Sequence, residues 1–271
     1  MISKRRSRRH DLEEMTLKTQ AMKVIVNADD LGINESVNGA IFAAMQRGTV
    51  TSATMIANGP AIESAVKNLH LFPNCSFGVH LNLTEFQPIS PASLRDLSAI
   101  LDRNHCFNGN SIREVRIGVS MLKAIFREWC CQIENLMSLG VEPSHLDAHH
   151  HVHTIPQMLP VLAALRRRYK INRVRISRNL YDSTEHPSRA LLAKKRVYNL
   201  ALRSSGFRTT RIFSDLVTFI HRCNARRPRA ASVELMAHPG SLPRGEEAAL
   251  LESDWPRRLS YDVALVSYKS L

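Results

Sequence analysis

Five of the chain's twelve histidines and one aspartate fall within nine residues, His145-Leu146-Asp147-Ala148-His149-His150-His151-Val152-His153. Imidazole nitrogen and carboxylate oxygen are ligands that zinc and its neighbours accept, and such a run has no packing advantage over leucine. A surface cluster or a tag-like tract is the plainer alternative. Leu146, Asp147 and Val152 interrupt the run and Glu142-Pro143 makes a turn before it, so it reads as part of a fold. Two further stretches supply matching groups, Asp29-Asp30 and His80. One carboxylate and two imidazoles, with water completing the shell, form the ligand set of a catalytic site. One aspartate of the pair can bind the ion while its neighbour takes a proton from water. Capping of the next helix is the competing role.

Alternate side chains of an extended segment share a face. Asp147, His149 and His151 are therefore expected together, with His150 pointing away. His149, just past the strand, is the best-placed ligand, and Asp147 lies deeper, where it would orient a neighbouring ring. His151 and His153 either contact substrate or fill the wall of the site. His238, before Pro239-Gly240, is a candidate general acid. Arg175 either binds a hydroxyl or anionic group or is an ordinary surface arginine.

These residues need strand ends to position them. Lys23–Ala28, Val50–Ala57, Ser76–Leu81, Ser144–Ala148, Val174–Ile176 and Ala231–Met236 read as strands. Helices are expected from Asn34 or Ser36 to Arg47, from Pro60, from Ile112 to Leu139 with a stop at Gly140, from a cap at Thr154, from Pro187 to Ser204 and over Ser260–Leu271. A further strand–helix pair spans Thr209–Ala225. Residues 86–110 read as a long irregular loop, of the kind that is functional or mobile. Alternating strands and helices predict an α/β fold with a parallel sheet. About seven units match a (β/α) barrel, TIM-like, complete or one unit short. Every suspicious polar residue follows a strand's carboxyl end, where such folds keep their chemistry.

Composition narrows the field. A chain of 271 residues with 44% hydrophobic and 23% charged residues suits one large α/β domain or two small ones. We read residues 1–21 as a disordered basic tail and 22–271 as a single domain. The excess of 37 Lys and Arg over 24 Asp and Glu is spread out, and aromatics are only 6%, so platforms for stacking on single strands are scarce. Five cysteines without a Cys-x-x-Cys pair fit a reduced, cytoplasmic protein. The sequence has no apolar run long enough for a membrane span.

Val24-Ile25-Val26-Asn27-Ala28-Asp29-Asp30-Leu31-Gly32, Thr51-Ser52-Ala53-Thr54, Gly78-Val79-His80-Leu81-Asn82-Leu83-Thr84, the histidine run and Glu234-Leu235-Met236-Ala237-His238-Pro239-Gly240 occur in order. Together they resemble the YdjC/ChbG family of carbohydrate deacetylases, including its branch associated with hopanoid biosynthesis. The resemblance implies a (β/α) barrel and metal-dependent removal of an N-acetyl group from an amino sugar such as a chitooligosaccharide. It also implies Asp30, His80 and His149 as metal ligands, Asp29 as general base and His238 as the acid. The implied ion is magnesium, whereas the donor types alone favour zinc. Leu31 departs from the family's usual Phe, and Phe86–Phe107 lacks the usual glycine after Glu85. The basic tail has no assignable counterpart. A metal phosphoesterase and a non-catalytic nucleic-acid-binding protein are the rival readings. The expected partner is a small carbohydrate, and the oligomeric state is open, a homodimer included.

Overall fold

Strand β1 (Met22–Leu31) is rich in β-branched residues and buried on both faces except at Lys23, as the middle strand of a parallel sheet must be. In this computed structural model, which describes residues 21–109, 111–241 and 245–271, β1 has neighbours on both sides. One side carries β2 (Ser52–Met55), β3 (Ser76–Leu81) and β4 (Leu146–Ala148); the other carries β6 (Ser232–Ala237) and then β5 (Ile212–Asp215). All these pairs are parallel. Helices α1 (Glu35–Gln46), α2 (Ile62–Asn68), α3 (Ser93–Asp96), α4 (Val119–Ser138), α5 (Leu159–Tyr169), α6 (Arg189–Ser204), α7 (Leu216–Cys223) and α8 (Gly245–Glu252) connect them. Asn34 caps α1 by accepting from Val37 N at 2.9 Å, and Gly140 takes the left-handed conformation after α4, as expected. The expected tail, except residue 21, lies outside the described residues. No described helix is long and apolar enough to cross a membrane.

The (β/α) barrel is present as a curled seven-stranded parallel sheet. Beyond β4 its ladder thins to single bridges, Leu146 to Val174 and Arg173 to Arg208, which carry the curl round toward β5. The strand expected at Val174–Ile176 is reduced to those bridges because Asn199 of α6 takes over the next backbone groups. Its Oδ1 accepts from Ser177 N at 2.8 Å and its Nδ2 donates to Ser177 O at 3.1 Å.

Three expected helices change. The one over Ser260–Leu271 is replaced by strand β7 (Val263–Leu265), which pairs with Met22–Val24, the part of β1 that β2 leaves free. Thr154 caps nothing; its hydroxyl donates to His151 O at 2.8 Å, and α5 starts only at Leu159. The helix expected from Ile112 begins at Val119.

The loop after β3 is packed rather than loose. Leu97, Ile100, Phe107 and Ile112 are buried, and Leu101 bridges Phe107. Fully buried Glu128 of α4 accepts four hydrogen bonds, from Ile89 N, Ser90 N, Ser93 Oγ and Gln132 Nε2, at 2.8 to 3.0 Å. Gln132 in turn holds both backbone groups of Asn82 at 2.8 Å. One carboxylate thus fixes the rim beside the end of β3. Replacing Glu128 with Ala strands buried donors and is expected to cost about 2–4 kcal/mol of stability in urea unfolding. Glu128→Gln, which keeps one carbonyl acceptor, should cost less than the Ala variant.

Candidate active site

Parallel strands bring their carboxyl ends together, so Asp29 and Asp30 of β1, His80 of β3, His149 after β4 and His238 after β6 meet at one end of the sheet. Side chains of adjacent strand residues normally diverge. Here the register of β1 against β2 shifts between Ala28 and Leu31, and Asp30 has φ 71°. A left-handed aspartate carries a conformational cost that functional sites retain. The kink gives the two carboxylates separate surroundings within one site.

Asp30 Oδ1 lies 2.8 Å from His149 Nδ1 and 3.3 Å from His80 Nε2, and the two nitrogens are 3.3 Å apart. Asp30 Oδ1 is buried and makes no hydrogen bond of its own. Each of the three residues offers one ligand atom, and the three atoms are close enough together that they could hold a metal ion. Asp147 Oδ1 stands 2.6 Å from His80 Nδ1, which leaves Nε2 to present its lone pair when Nδ1 carries the proton. The expected orienting role of Asp147 has its geometry. His149 Nε2 lies 3.3 Å from Glu85 Oε1 on the opposite side of its ring.

Electrostatics point the same way. Burial pushes the His80 imidazolium down, but the Asp147 carboxylate and then Asp30 outweigh it and lift the group to about 10. Burial pushes Asp30 up, yet the neighbouring His149 and His80 rings hold it well below the usual carboxylate range. The cluster demands positive charge, which a proton or a metal ion can supply.

Arg175 is fully buried, so it is neither a surface arginine nor in reach of a hydroxyl in solvent. Its two terminal nitrogens donate to Asp29 Oδ2 and Oδ1 at 2.7 Å each, and Nη1 also lies 2.8 Å from Asp147 Oδ2. Its Nε donates to Glu234 Oε1 at 2.6 Å. Burial raises Asp29, but the Arg175 charge and hydrogen bonds more than offset it and keep the carboxyl ionised. His238 Nε2 stands 3.9 Å from Asp29 Oδ2, and its backbone N–H donates to Glu247 Oε1 at 2.7 Å.

The family model described as YdjC-like protein matches residues 23–261. The chain belongs to the YdjC-like family. Among similar proteins, the chitooligosaccharide deacetylase of Enterobacter sp. (strain 638) is 33% identical, over 80% of this chain and 81% of that one. The carbohydrate deacetylase of Geobacillus stearothermophilus is 39% identical over 149 residues, 54% of this chain and 57% of that protein, so the matched stretch spans little more than half of this relative. A solved structure from Enterococcus faecalis V583, described as a cellobiose-phosphate cleavage protein, superposes with a TM-score of 0.73 at 26% identity. It covers 93% of this chain and 99% of that one.

Within this YdjC-like site the histidine run behaves differently from the extended segment expected of it. The strand stops at Ala148, and His149–Thr154 coils, with His150 at φ 50° and His151 at φ 55°. His150 does point away, stacked on His149 at 4.2 Å between ring centroids. His151 packs edge-on to Phe213, and burial, followed by the Arg175 charge, pushes it down to about 3, so it is neutral. His153 is fully buried, 3.2 Å from Arg175 O, and fills the wall.

The sequence reading missed the parts played by Asn27, Thr54, Glu85 and Glu234. Only Asn27 and Glu234 left a signal, as polar residues inside otherwise apolar strands. Thr54 Oγ1 donates to Asp147 Oδ2 at 3.0 Å and accepts from Asn27 Nδ2 at 3.0 Å, so Asp147 is braced from below as well as by Arg175. Asp147→Asn should therefore weaken binding of a divalent cation about 10- to 100-fold in calorimetric titration. Unchanged affinity would show that His80 needs no such support.

Proposed function

We propose that the chain is a metal-dependent hydrolase that removes the N-acetyl group of an amino sugar, with a chitooligosaccharide as the model substrate. The observation that carries this reading is the three-atom cluster of Asp30, His80 and His149 with the ionised Asp29 beside it. The names of the Enterobacter and Geobacillus relatives support the acyl-transfer chemistry and the sugar class.

Asp30, His80 and His149 would hold the ion. A bound divalent cation supplies Lewis acidity for the acyl oxygen and lowers the pKa of water. Two nitrogens and one carboxylate favour zinc over magnesium, while the family resemblance favours magnesium. The protein's own groups do the rest. Asp29 takes the proton of the attacking water, its carboxylate plane fixed by the two-pronged bond from Arg175. His238 gives a proton to the departing sugar nitrogen, so that acetate and a free amine leave. Asp147 keeps His80 in one tautomer. His151, neutral and with its Nδ1 unpartnered, is the candidate contact for a substrate hydroxyl.

The free cysteines fit a cytoplasmic enzyme. The phosphoesterase reading asks for two clustered ions. Of two further groups, Glu85, His149 and His150 share His149 with the first and leave His150 exposed, while Asp29, His80 and Asp147 share His80 and have both carboxylates held by Arg175, which favours a single ion.

Acetate release from N-acetylated chitooligosaccharides should vanish with chelator and return on reloading with zinc or magnesium, tested separately. His149→Ala should lose the ion. Asp29→Asn should bind it with unchanged affinity and lose about 100-fold or more in kcat. Wild-type turnover in Asp29→Asn would remove Asp29 as the base.

A further inference from the structure

The last nine residues of the chain enter the barrel from the end opposite the site. Val266 N donates to Val24 O at 2.9 Å, continuing the pairing of β7 with β1. Tyr268 N then reaches Ser76 Oγ at 3.0 Å and Ser52 Oγ at 3.2 Å, the first residues of β3 and β2. The ring of Tyr268 is wholly buried inside the sheet.

Two chains of polar contacts lead from this ring to the same carboxylate. In the first, the Tyr268 hydroxyl donates to Glu234 Oε2, Glu234 Oε1 accepts from Arg175 Nε at 2.6 Å, and Arg175 grips both oxygens of Asp29. In the second, Tyr268 stacks on His145 at 3.6 Å with 13° between planes. His145 Nε2 lies 3.0 Å from Asn27 Oδ1, and Asn27 Nδ2 donates to Asp29 Oδ1 at 2.9 Å. Asn27 spends its amide protons on Asp29 and Thr54, so its oxygen takes the proton of His145 Nε2. His145 Nδ1 lies 2.8 Å from Ser144 Oγ, whose hydroxyl donates to Phe77 O at 2.8 Å. His145 has no room to move, because it lies against Gly78, where an added Cβ would stand 2.6 Å from its ring.

We propose that Tyr268 is a positioning residue for Asp29: the C-terminal segment sets the orientation of the carboxylate from beneath, through Glu234–Arg175 and through His145–Asn27. This rests on the reading of Asp29 as the base. Tyrosine rather than phenylalanine is needed here because Glu234 is fully buried and, among the described residues, its second oxygen faces no other donor than the hydroxyl. Without that bond Glu234 draws harder on Arg175, in competition with Asp29 and Asp147.

The test is Tyr268→Phe, which keeps the stacking ring, alongside Glu234→Gln and the double variant, each assayed for acetate release from chitooligosaccharides and for cation affinity. Tyr268→Phe should lower kcat about tenfold, leave KM within about twofold and leave cation affinity unchanged. Because both residues act through one bond, the double variant should lose no more than the worse single variant. Wild-type kcat in Tyr268→Phe, or losses in the two variants that simply multiply, would overturn the proposal. An inert wild type would instead overturn the deacetylase reading on which the role of Asp29 rests, and a fall in cation affinity in Tyr268→Phe would overturn the proposal by showing a general loosening of the barrel.

Discussion

The buried guanidinium of Arg175 is the contact on which the site depends. Asp29, Asp147 and Glu234 lie 2.6 to 2.8 Å from it and come from β1, β4 and β6, three separate strands of the curled sheet. All four groups are buried almost completely. Isolated charges in that setting would be costly, and breaking such a cluster by removing one partner leaves the others uncompensated. Arg175 also sits where the backbone ladder is thinnest, on the segment joined to its neighbours only by single bridges. Side-chain charge thus does for this part of the barrel what backbone pairing does for the rest. The same bonds that close the sheet orient the Asp29 carboxylate beside the cluster of Asp30, His80 and His149.

Negative charge is in excess at this end of the sheet. Three carboxylates, Asp29, Asp147 and Glu234, surround one fixed positive charge, and a fourth, Asp30, lies against His80 and His149. The molecule has two ways to relieve the excess. It can place protons, and the lifted His80 and the Glu234 carboxyl, which burial pushes up to about 7, show where they would go. Or it can bind an ion where Asp30, His80 and His149 converge. The division of labour between the adjacent aspartates follows from the backbone, since the register shift and the left-handed Asp30 direct one carboxylate to the histidines and leave the other with Arg175.

Much of this could be read from the sequence because it is local. β1, the strands ending at His80 and Ala148, and the end of β6 before His238 each announce themselves by apolar patterning followed by a polar residue. Topology then brings their ends together. What was illegible is long-range. The bonds of Arg175 to Asp29 and Glu234 join residues 146 and 59 positions apart, and nothing in the vicinity of Arg175 signals three carboxylates. β7 was misread as a helix because three residues carry too little periodicity to outweigh a mixed apolar–polar stretch, and its pairing depends on the free start of β1. Thr154 looked like a cap because the sequence does not show that two preceding histidines turn left-handed.

That left-handed turn also settles what a dense histidine run can be. Ligands must converge, and neighbouring residues on any regular backbone diverge. Here the five imidazoles go five ways. His145 lies against Tyr268, His149 faces Asp30, His150 faces outward, His151 packs edge-on to Phe213 and His153 fills the wall. Only one joins the cluster with Asp30 and His80, which come from strand ends 119 and 69 residues upstream. The run's value lies in reach. One short segment touches the buried tyrosine at its start and the Asp30–His80 pair in its middle. It meets the backbone of Arg175 at its end, and so it couples the floor of the barrel to the chemistry at its mouth.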